Sequence, residues 1–313
     1  MTLNPPNLPL VSIVLATYNG EKYLKQQLDS ILQQDYPNIE LVITDDCSSD
    51  RTLSILKEYA SHHSHIHVYT NDSTLGLNKN FEKGMLLAQG EYIAISDQDD
   101  IWKSEKISVL MSELEHHMIV YHDSELIDAT GSPLNRKLSE INRLSNFTSC
   151  LNYAIATRVP GHTMLFRREL IAQCVPFPQH TLYDHWLAFV ATFNSDIKFI
   201  PETLVSYRQH ENNTFGADFT KRTKKIKKKK HSSNKHQLTR ERIQLFYDKC
   251  PPTLSEQKKV LHDLLMSYED FSLKNNFRRM ILFFKYHPIF LAHKKYGPIR
   301  KWLYCLKTFI KMP

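Results

Sequence analysis

Four short apolar runs, separated by stretches of helical spacing, constrain this chain most. Val11-Ser12-Ile13-Val14-Leu15 is the first, a mostly apolar run of the kind that fills a parallel strand buried on both faces. Leu24, Leu28, Ile31 and Leu32 then recur at the spacing of one helix face. Residues 39–43 predict a second strand, and Asp50 stands where it can cap a helix through Leu53, Leu56 and Ala60. Residues 66–69 predict a third strand. Residues 78–89 predict a third helix, with Gly90 at the position of a C-terminal capping glycine. Residues 92–95 predict a fourth strand. Parallel neighbours need long crossovers, usually helical, so this order predicts an α/β fold with a doubly wound, mainly parallel sheet.

In such sheets ligands bind beyond the carboxyl ends of the strands. Polar clusters stand at three of those ends: ATYNG after the first strand, TDDCSSD after the second, and SDQDD after the fourth. Their convergence on one crevice is stronger evidence than any single cluster.

SDQDD packs Asp97, Asp99 and Asp100 into four positions, and Ile101-Trp102 follow at once. Carboxylates this close repel, and burial sharpens the repulsion. A hard divalent cation, Mn²⁺ or Mg²⁺, would relieve it, and such ions bind substrate phosphates and act as Lewis acids on a leaving diphosphate. A solvated acidic turn is the plain alternative. In TDDCSSD, Asp45 and Asp46 sit at the strand end, where a carboxylate can accept from a base N–H or a ribose hydroxyl. In ATYNG, Thr17 offers a hydroxyl and Tyr18 a stacking face, although Tyr18 alone reads equally as a core aromatic. No GxGxxG and no GxxxxGK[ST] is present, so neither a dinucleotide fingerprint nor a P-loop is indicated.

Beyond the fourth strand a helix is expected from about Lys103, with Ile107, Leu110, Met111 and Leu114 on one face. Residues 162–166 and 204–209 read as strands and 183–193 as a helix. That helix opens on Tyr183-Asp184-His185-Trp186. Asp184 reads either as a carboxylate favouring the helix N-terminus or as a general base whose pKa burial has raised. His185 is expected on the exposed side. His210, in YRQH, is a candidate third metal ligand, and Arg208 a candidate phosphate contact. His162 and Trp186 are candidates for the acceptor side.

Charge divides the chain. Residues 1–214 hold 16 Lys or Arg against 26 Asp or Glu, and residues 215–313 hold 24 against 7. The expected organisation is a catalytic domain over 1–214, with halves at about 1–102 and 103–214. A basic linker over 215–237 and a helical region over 238–313 complete it. Five scattered cysteines without CxxC spacing argue against a disulfide framework or zinc cluster and fit a reducing compartment. The N-terminal residues lack a basic n-region followed by an apolar h-region, and no run is long enough to span a bilayer.

These motifs, in this order, resemble family 2 glycosyltransferases of the GT-A fold. The resemblance runs through VSIVLATYNGEKYLKQQLDSILQQ, ELVITDDCSSDRT, LGLNKNF, GEYIAISDQDDIW, the segment 161–167, YDHW and YRQH, and covers roughly residues 10–214. The SDQDDIW form and the length are most like bacterial rhamnosyltransferases of cell-surface polysaccharide assembly. The resemblance implies that Thr17, Tyr18 and Asp46 hold the base and ribose and that Asn80 matches an asparagine after the third strand. It makes Asp97 and Asp99 the Asp-x-Asp pair, Asp184 the catalytic base, and His210 a metal or diphosphate contact. Cys47 stands where glycine is common, and Tyr183 where glutamate is frequent. The implied reaction is one inverting displacement from a nucleoside diphosphate sugar (dTDP-rhamnose first, a UDP-hexose second) to a lipid-linked or polysaccharide acceptor.

Eight Lys or Arg between 221 and 230 read as a charged linker or as a contact for anionic lipid. No nucleic-acid motif interleaves with them, so nucleic acid is not an expected partner. A peripheral position at the inner face of the cell membrane is expected. The C-terminal helices are expected to lie on that surface or to form a homo-oligomer interface. Two other classes compete. A nucleotidyltransferase would need a basic triphosphate loop near the first strand, which ATYNG does not supply. A non-catalytic sugar-nucleotide-binding subunit would bind donor without transfer.

Overall fold

A computed structural model describes residues 8–156, 159–211 and 232–310. The basic run at 221–230, with most of the expected linker, lies outside the described residues. The strands are β1 (Val11–Thr17), β2 (Ile39–Asp45), β3 (Ile66–Thr70), β4 (Tyr92–Ser96), β5 (Ile101–Trp102), β6 (Ile119–Ile127), β7 (Pro133–Lys137), β8 (Met164–Arg167) and β9 (Lys198–Arg208). The helices are α1 (Leu24–Leu32), α2 (Thr52–His62), α3 (Leu77–Leu87), α4 (Lys106–Leu114), α5 (Leu138–Ile141), α6 (Leu170–Cys174) and α7 (Tyr183–Ala191). Four more follow: α8 (Ser232–Lys249), α9 (Ser255–Ser267), α10 (Leu273–Phe290) and α11 (Pro298–Ile310).

The sheet runs β3-β2-β1-β4-β8-β6-β9-β5, with β7 beside β6. The first four strands are parallel, as expected; β8 pairs antiparallel with both β4 and β6, and β9 is parallel to β6. Period-2 alternation divides the apolar side chains between the two faces. Ile13, Leu15, Leu41 and Ile43 pack under α1, α2 and α4, while Val14, Val42, Ile93 and Ile95 pack with Phe81 and Met85 of α3. Layers of helix on both faces bury the sheet.

Gly90 is not a helix cap. α3 ends at Leu87, and a Cβ on Gly90 would lie 2.6 Å from the Leu10 carbonyl oxygen and 2.7 Å from Ser12 Oγ. Close approach of two chain segments requires glycine there.

Two registers place the site. Thr17 lies opposite Asp45 and Leu15 opposite Ser96, so β1, β2 and β4 end side by side. β9 runs antiparallel to β5, with Ser206 opposite Ile101, which brings Arg208 and His210 back onto the acidic turn.

The C-terminal helices share a core with the sheet domain. Val260, Leu261, Leu264 and Leu265 form the expected buried stripe of α9, and Tyr268, just past its end, is buried with them. The Phe246 ring of α8 stacks on Phe189 of α7 at 4.1 Å, and Asn152 Nδ2 donates to the Ile289 carbonyl of α10. No helix among the described residues is long and apolar enough to cross a membrane.

Candidate active site

At the end of β1, Thr17 is buried and its Oγ1 donates to Asp45 Oδ1 at 2.9 Å. Tyr18, the next residue, is 51% exposed, so its ring is open to solvent and not part of the core. Gln98, the middle residue of Asp-x-Asp, clamps this strand end. Its Oε1 accepts from Tyr18 N at 2.9 Å, and its Nε2 donates to Tyr18 O at 3.1 Å.

Asp46 and Asn80 are buried, and both are tied to protein. Asp46 accepts from Asn71 Nδ2 (2.8 Å), Leu75 N (2.7 Å) and Gly76 N (2.9 Å), which folds the 71–76 loop onto the crevice rim. An ionised carboxylate has about four acceptor positions, so this leaves roughly one for a ligand. Asn80 donates to Thr44 O at 2.9 Å and accepts from Asn71 Nδ2 at 2.9 Å. It bolts the end of β2 to the 71–76 loop.

The acidic turn is the electrostatic centre. Asp97 keeps about 35% of its side chain exposed. Burial first, then the charges of Asp99 and Asp184, push its carboxyl up to about 7, with Lys106 pulling the other way. Asp100 is fully buried. Its Oδ1 accepts from Arg208 N at 2.9 Å, and its Oδ2 has no hydrogen-bond partner. Burial, Asp99 and Asp97 raise its carboxyl well above the ordinary range. Asp99 Oδ2 meets His210 Nε2 at 2.7 Å.

Arg208 takes no place among exposed phosphate contacts. It is 1% exposed; its Nε donates to the Asp99 carbonyl at 2.8 Å, and an Nη reaches Gln26 Oε1 at 2.7 Å. Its guanidinium lies over the Tyr23 ring. It organises the acidic turn from behind.

Below the turn lies a residue that the pattern reading passed over. Lys106 is fully buried, donates to the His162 carbonyl at 2.8 Å and packs over the Trp102 ring at 3.3 Å. Burial lowers its ammonium well below the usual value, against the opposing pull of Asp100 and Asp97. The only signal in the sequence is a basic residue at the first position of an apolar helix stripe.

His162 reaches the crevice. Its ring stacks on Tyr207 at 4.3 Å, and its Nε2 meets Ser124 Oγ at 3.1 Å. Burial, with Lys106 adding to it, lowers its pKa to about 3, so its 3.8 Å approach to Asp97 is not an ion pair at neutral pH. Ser124 belongs to β6, a strand that sequence patterning missed because His122, Asp123 and Ser124 interrupt its apolar run.

Asp184 opens α7. His185 N donates to its Oδ1 at 2.7 Å. Burial raises its carboxyl to about 7, and the backbone N–H groups of His185 and Gly161 only partly offset this. Asn78 aims the loop that delivers it: its side chain donates to Pro178 O and Thr181 O and accepts from Tyr183 N. At Gly161 a Cβ would lie 2.1 Å from the Tyr183 hydroxyl, so a side chain there would push the Tyr183 ring aside.

Two expectations for α7 fail. His185 is buried, with its Nε2 at 2.8 Å from Tyr153 O, because α7 is covered on that side by the 150–153 turn and by α8. Trp186 is also buried: its Nε1 donates to Cys174 O at 2.8 Å and its ring stacks on Phe189 and Phe246. It belongs to the core and not to an acceptor surface.

The donor set suits a hard divalent cation. The carboxylates of Asp97 and Asp100 and the ring of His162 place donor atoms within 4.8 Å of one another, and Asp100 Oδ2 is an orphaned buried oxygen. Asp99 and His210 form a second pair at the crevice edge. A separate concavity of about 520 Å³ opens at the amino end of β4, between Met85, Tyr92 and Arg168. It lies at the opposite end of the strand from Asp97, and Arg167 and Arg168 there donate to backbone carbonyls.

The model of glycosyl transferase family 2 matches residues 12–174. A Haemophilus influenzae protein described as an uncharacterized glycosyltransferase is 26% identical over 90% of this chain and 92% of its own. The dTDP-rhamnosyl transferase RfbG of Shigella flexneri is 30% identical over 67% of this chain and 76% of its own. Among solved structures, S. aureus TarS 1-349 in complex with UDP-GlcNAc has a TM-score of 0.59 at 19% identity, over 96% of this chain and 80% of that one. The mannosyltransferase PcManGT from Pyrobaculum calidifontis, in complex with GDP-Man and Mn²⁺, has a TM-score of 0.53 at 19% identity, over 98% and 86%. The fold is the expected GT-A arrangement.

Proposed function

Since the chain belongs to glycosyl transferase family 2, we propose that it is an inverting, metal-dependent transferase moving rhamnose from dTDP-rhamnose to a lipid-linked or polysaccharide acceptor. The observation behind the mechanism is the pairing of Asp184 with the acidic turn in one crevice. Asp184 stands close enough for its charge to raise Asp97, and its own carboxyl is held up to about 7, where a general base works best.

Asp184 takes the proton of the acceptor hydroxyl as that oxygen attacks the anomeric carbon. The bond from that carbon to the diphosphate oxygen breaks, the diphosphate leaves with the electron pair, and configuration inverts in one step. Asp97 would hold Mn²⁺ or Mg²⁺ either with Asp99 and His210, already paired at 2.7 Å, or with Asp100 and His162, whose donor atoms lie within 4.8 Å of it; the ion supplies charge neutralisation for the leaving group when bound. Tyr18 stacks on the base, Thr17 and Asp46 meet base and ribose, and Asn80 acts by holding the strand end. His162, neutral in its pocket, faces the acceptor side. The catalytic machinery falls within about residues 1–214, and the helices beyond the basic linker, packed on it, keep the enzyme at the inner face of the cell membrane.

Support for dTDP-rhamnose comes from the Shigella relative, a dTDP-rhamnosyl transferase. A UDP-hexose is the second reading, because the TarS structure holds UDP-GlcNAc. A thermal-shift panel of dTDP, UDP and GDP sugars with Mn²⁺, followed by a transfer assay, decides between them. A shift with dTDP-rhamnose and label passed to an acceptor is expected. Donor binding without transfer to any glycan would favour a non-catalytic binding subunit.

A further inference from the structure

α10 and α11 turn large apolar side chains away from the protein. On α10, Leu273, Phe277 and Ile281 recur at every fourth residue, and all are exposed, Leu273 to 75%. On α11 the amphipathic pattern is reversed: the small Cys305 and Thr308 face inward, while Ile299, Trp302, Leu303 and Leu306 face out, Ile299 at 78% exposure. Trp302 meets Phe284 edge-on at 5.6 Å, which joins the two rows into one surface. Monomeric soluble proteins rarely leave such a contiguous face uncovered.

The charge around this face selects its occupant. Residues 271–310 contain nine Lys or Arg and no Asp or Glu; Arg279 is buried and Arg278 is paired with Asp263, which leaves seven. A second copy would set these cations against one another. An anionic surface would neutralise them. Beside the apolar row, a groove of about 360 Å³ is lined by Arg300, Lys307, Tyr296 and Tyr304, the pairing of cations and amphipathic rings that suits phosphate headgroups at a bilayer boundary.

We infer that the α10–α11 face is a docking surface for an anionic phospholipid bilayer, with Trp302 and Leu303 inserted among the acyl chains and Arg300 and Lys307 on headgroup phosphates. This names the surface behind the peripheral association proposed above. It also places that surface next to the acceptor half: α10 is bonded to the 150–153 turn through Asn152, and that turn is bonded to His185, the neighbour of Asp184.

The test uses the full chain without donor or acceptor, so its outcome is independent of the transfer reading. The chain has three tryptophans, and Trp102 and Trp186 are buried, so a change of emission on vesicles reports on Trp302. Flotation with phosphatidylcholine vesicles containing phosphatidylglycerol, together with a blue shift of emission, is the expected result. Pure phosphatidylcholine or high salt should weaken both. Leu303→Asp with Ile299→Asp should abolish both, and Arg300→Gln and Lys307→Gln should each weaken binding about fivefold. Unchanged far-UV circular dichroism of these surface variants excludes misfolding. No flotation overturns the inference. Flotation without an emission shift, or retained by the Asp variants, assigns the contact to another segment and overturns it too. A concentration-dependent dimer that the Asp variants break, with no vesicle binding, replaces it with self-association.

Discussion

Arg208 Nε donates to the backbone carbonyl of Asp99 at 2.8 Å, across 109 residues of chain. A buried guanidinium thus holds the acidic turn by its backbone and leaves the Asp99 carboxylate free to meet His210. The same arginine's N–H serves Asp100, so one residue sets the shape of the whole turn.

Arg208→Met should therefore destabilise the fold by about 1–3 kcal/mol, because it leaves the Asp99 carbonyl and Gln26 Oε1 without their donor while the backbone N–H to Asp100 is kept. Arg208→Lys should recover little, since an ammonium cannot reproduce the fork. The urea midpoint at pH 7 measures both.

Asp184→Asn should lower kcat by about 10²–10⁴ and leave the donor dissociation constant unchanged. Calorimetry with the nucleotide sugar and a transfer assay supply the two readings. An unchanged kcat would remove Asp184 from the role of base.

With Asp184 held at about 7, kcat/KM should rise as pH increases through 7, because only the ionised carboxylate accepts the proton. Stability has the opposite sign. Between the ordinary 3.8 and about 7 the folded chain holds a proton that the unfolded chain has lost, so this residue's contribution falls as pH rises through that window. Asp184→Asn should therefore melt higher than wild type above pH 7 and match it near pH 4. Melting curves across pH check this.

Mn²⁺ should raise the melting temperature of the wild type, by an amount equivalent to about 2.7 kcal/mol at a hundredfold excess over Kd. Asp99→Asn should lose that shift, and EDTA should reverse it. An equal shift in the variant would place the ion elsewhere.

Trp186→Ala should cost about 3–5 kcal/mol through cavity formation. Trp186→Phe should fold with an unaltered acceptor KM. Asn78→Ala should act on position instead: the loop before α7 loosens, and kcat falls by roughly tenfold or more with donor affinity intact. Parallel kinetics and denaturation separate these outcomes.

The alternation of apolar runs with helical stripes was enough to order the first four strands, because a buried parallel strand and an amphipathic helix each leave a periodic record. It also put Thr17, Tyr18, Asp46 and Asp97 at strand ends, since strand ends are where such runs stop. β6 left no such record: its polar His122, Asp123 and Ser124 are buried by neighbours distant in sequence. Folding alone decided that Arg208 lies behind the turn, that Lys106 lies beneath it, and that Trp186 points into the core. Each depends on contacts from elements 50 or more residues away or on a covering helix, and local periodicity carries no information about either. Residue type told which groups could do the chemistry; burial and partner geometry, which arise only when the sheet closes, assigned them their places.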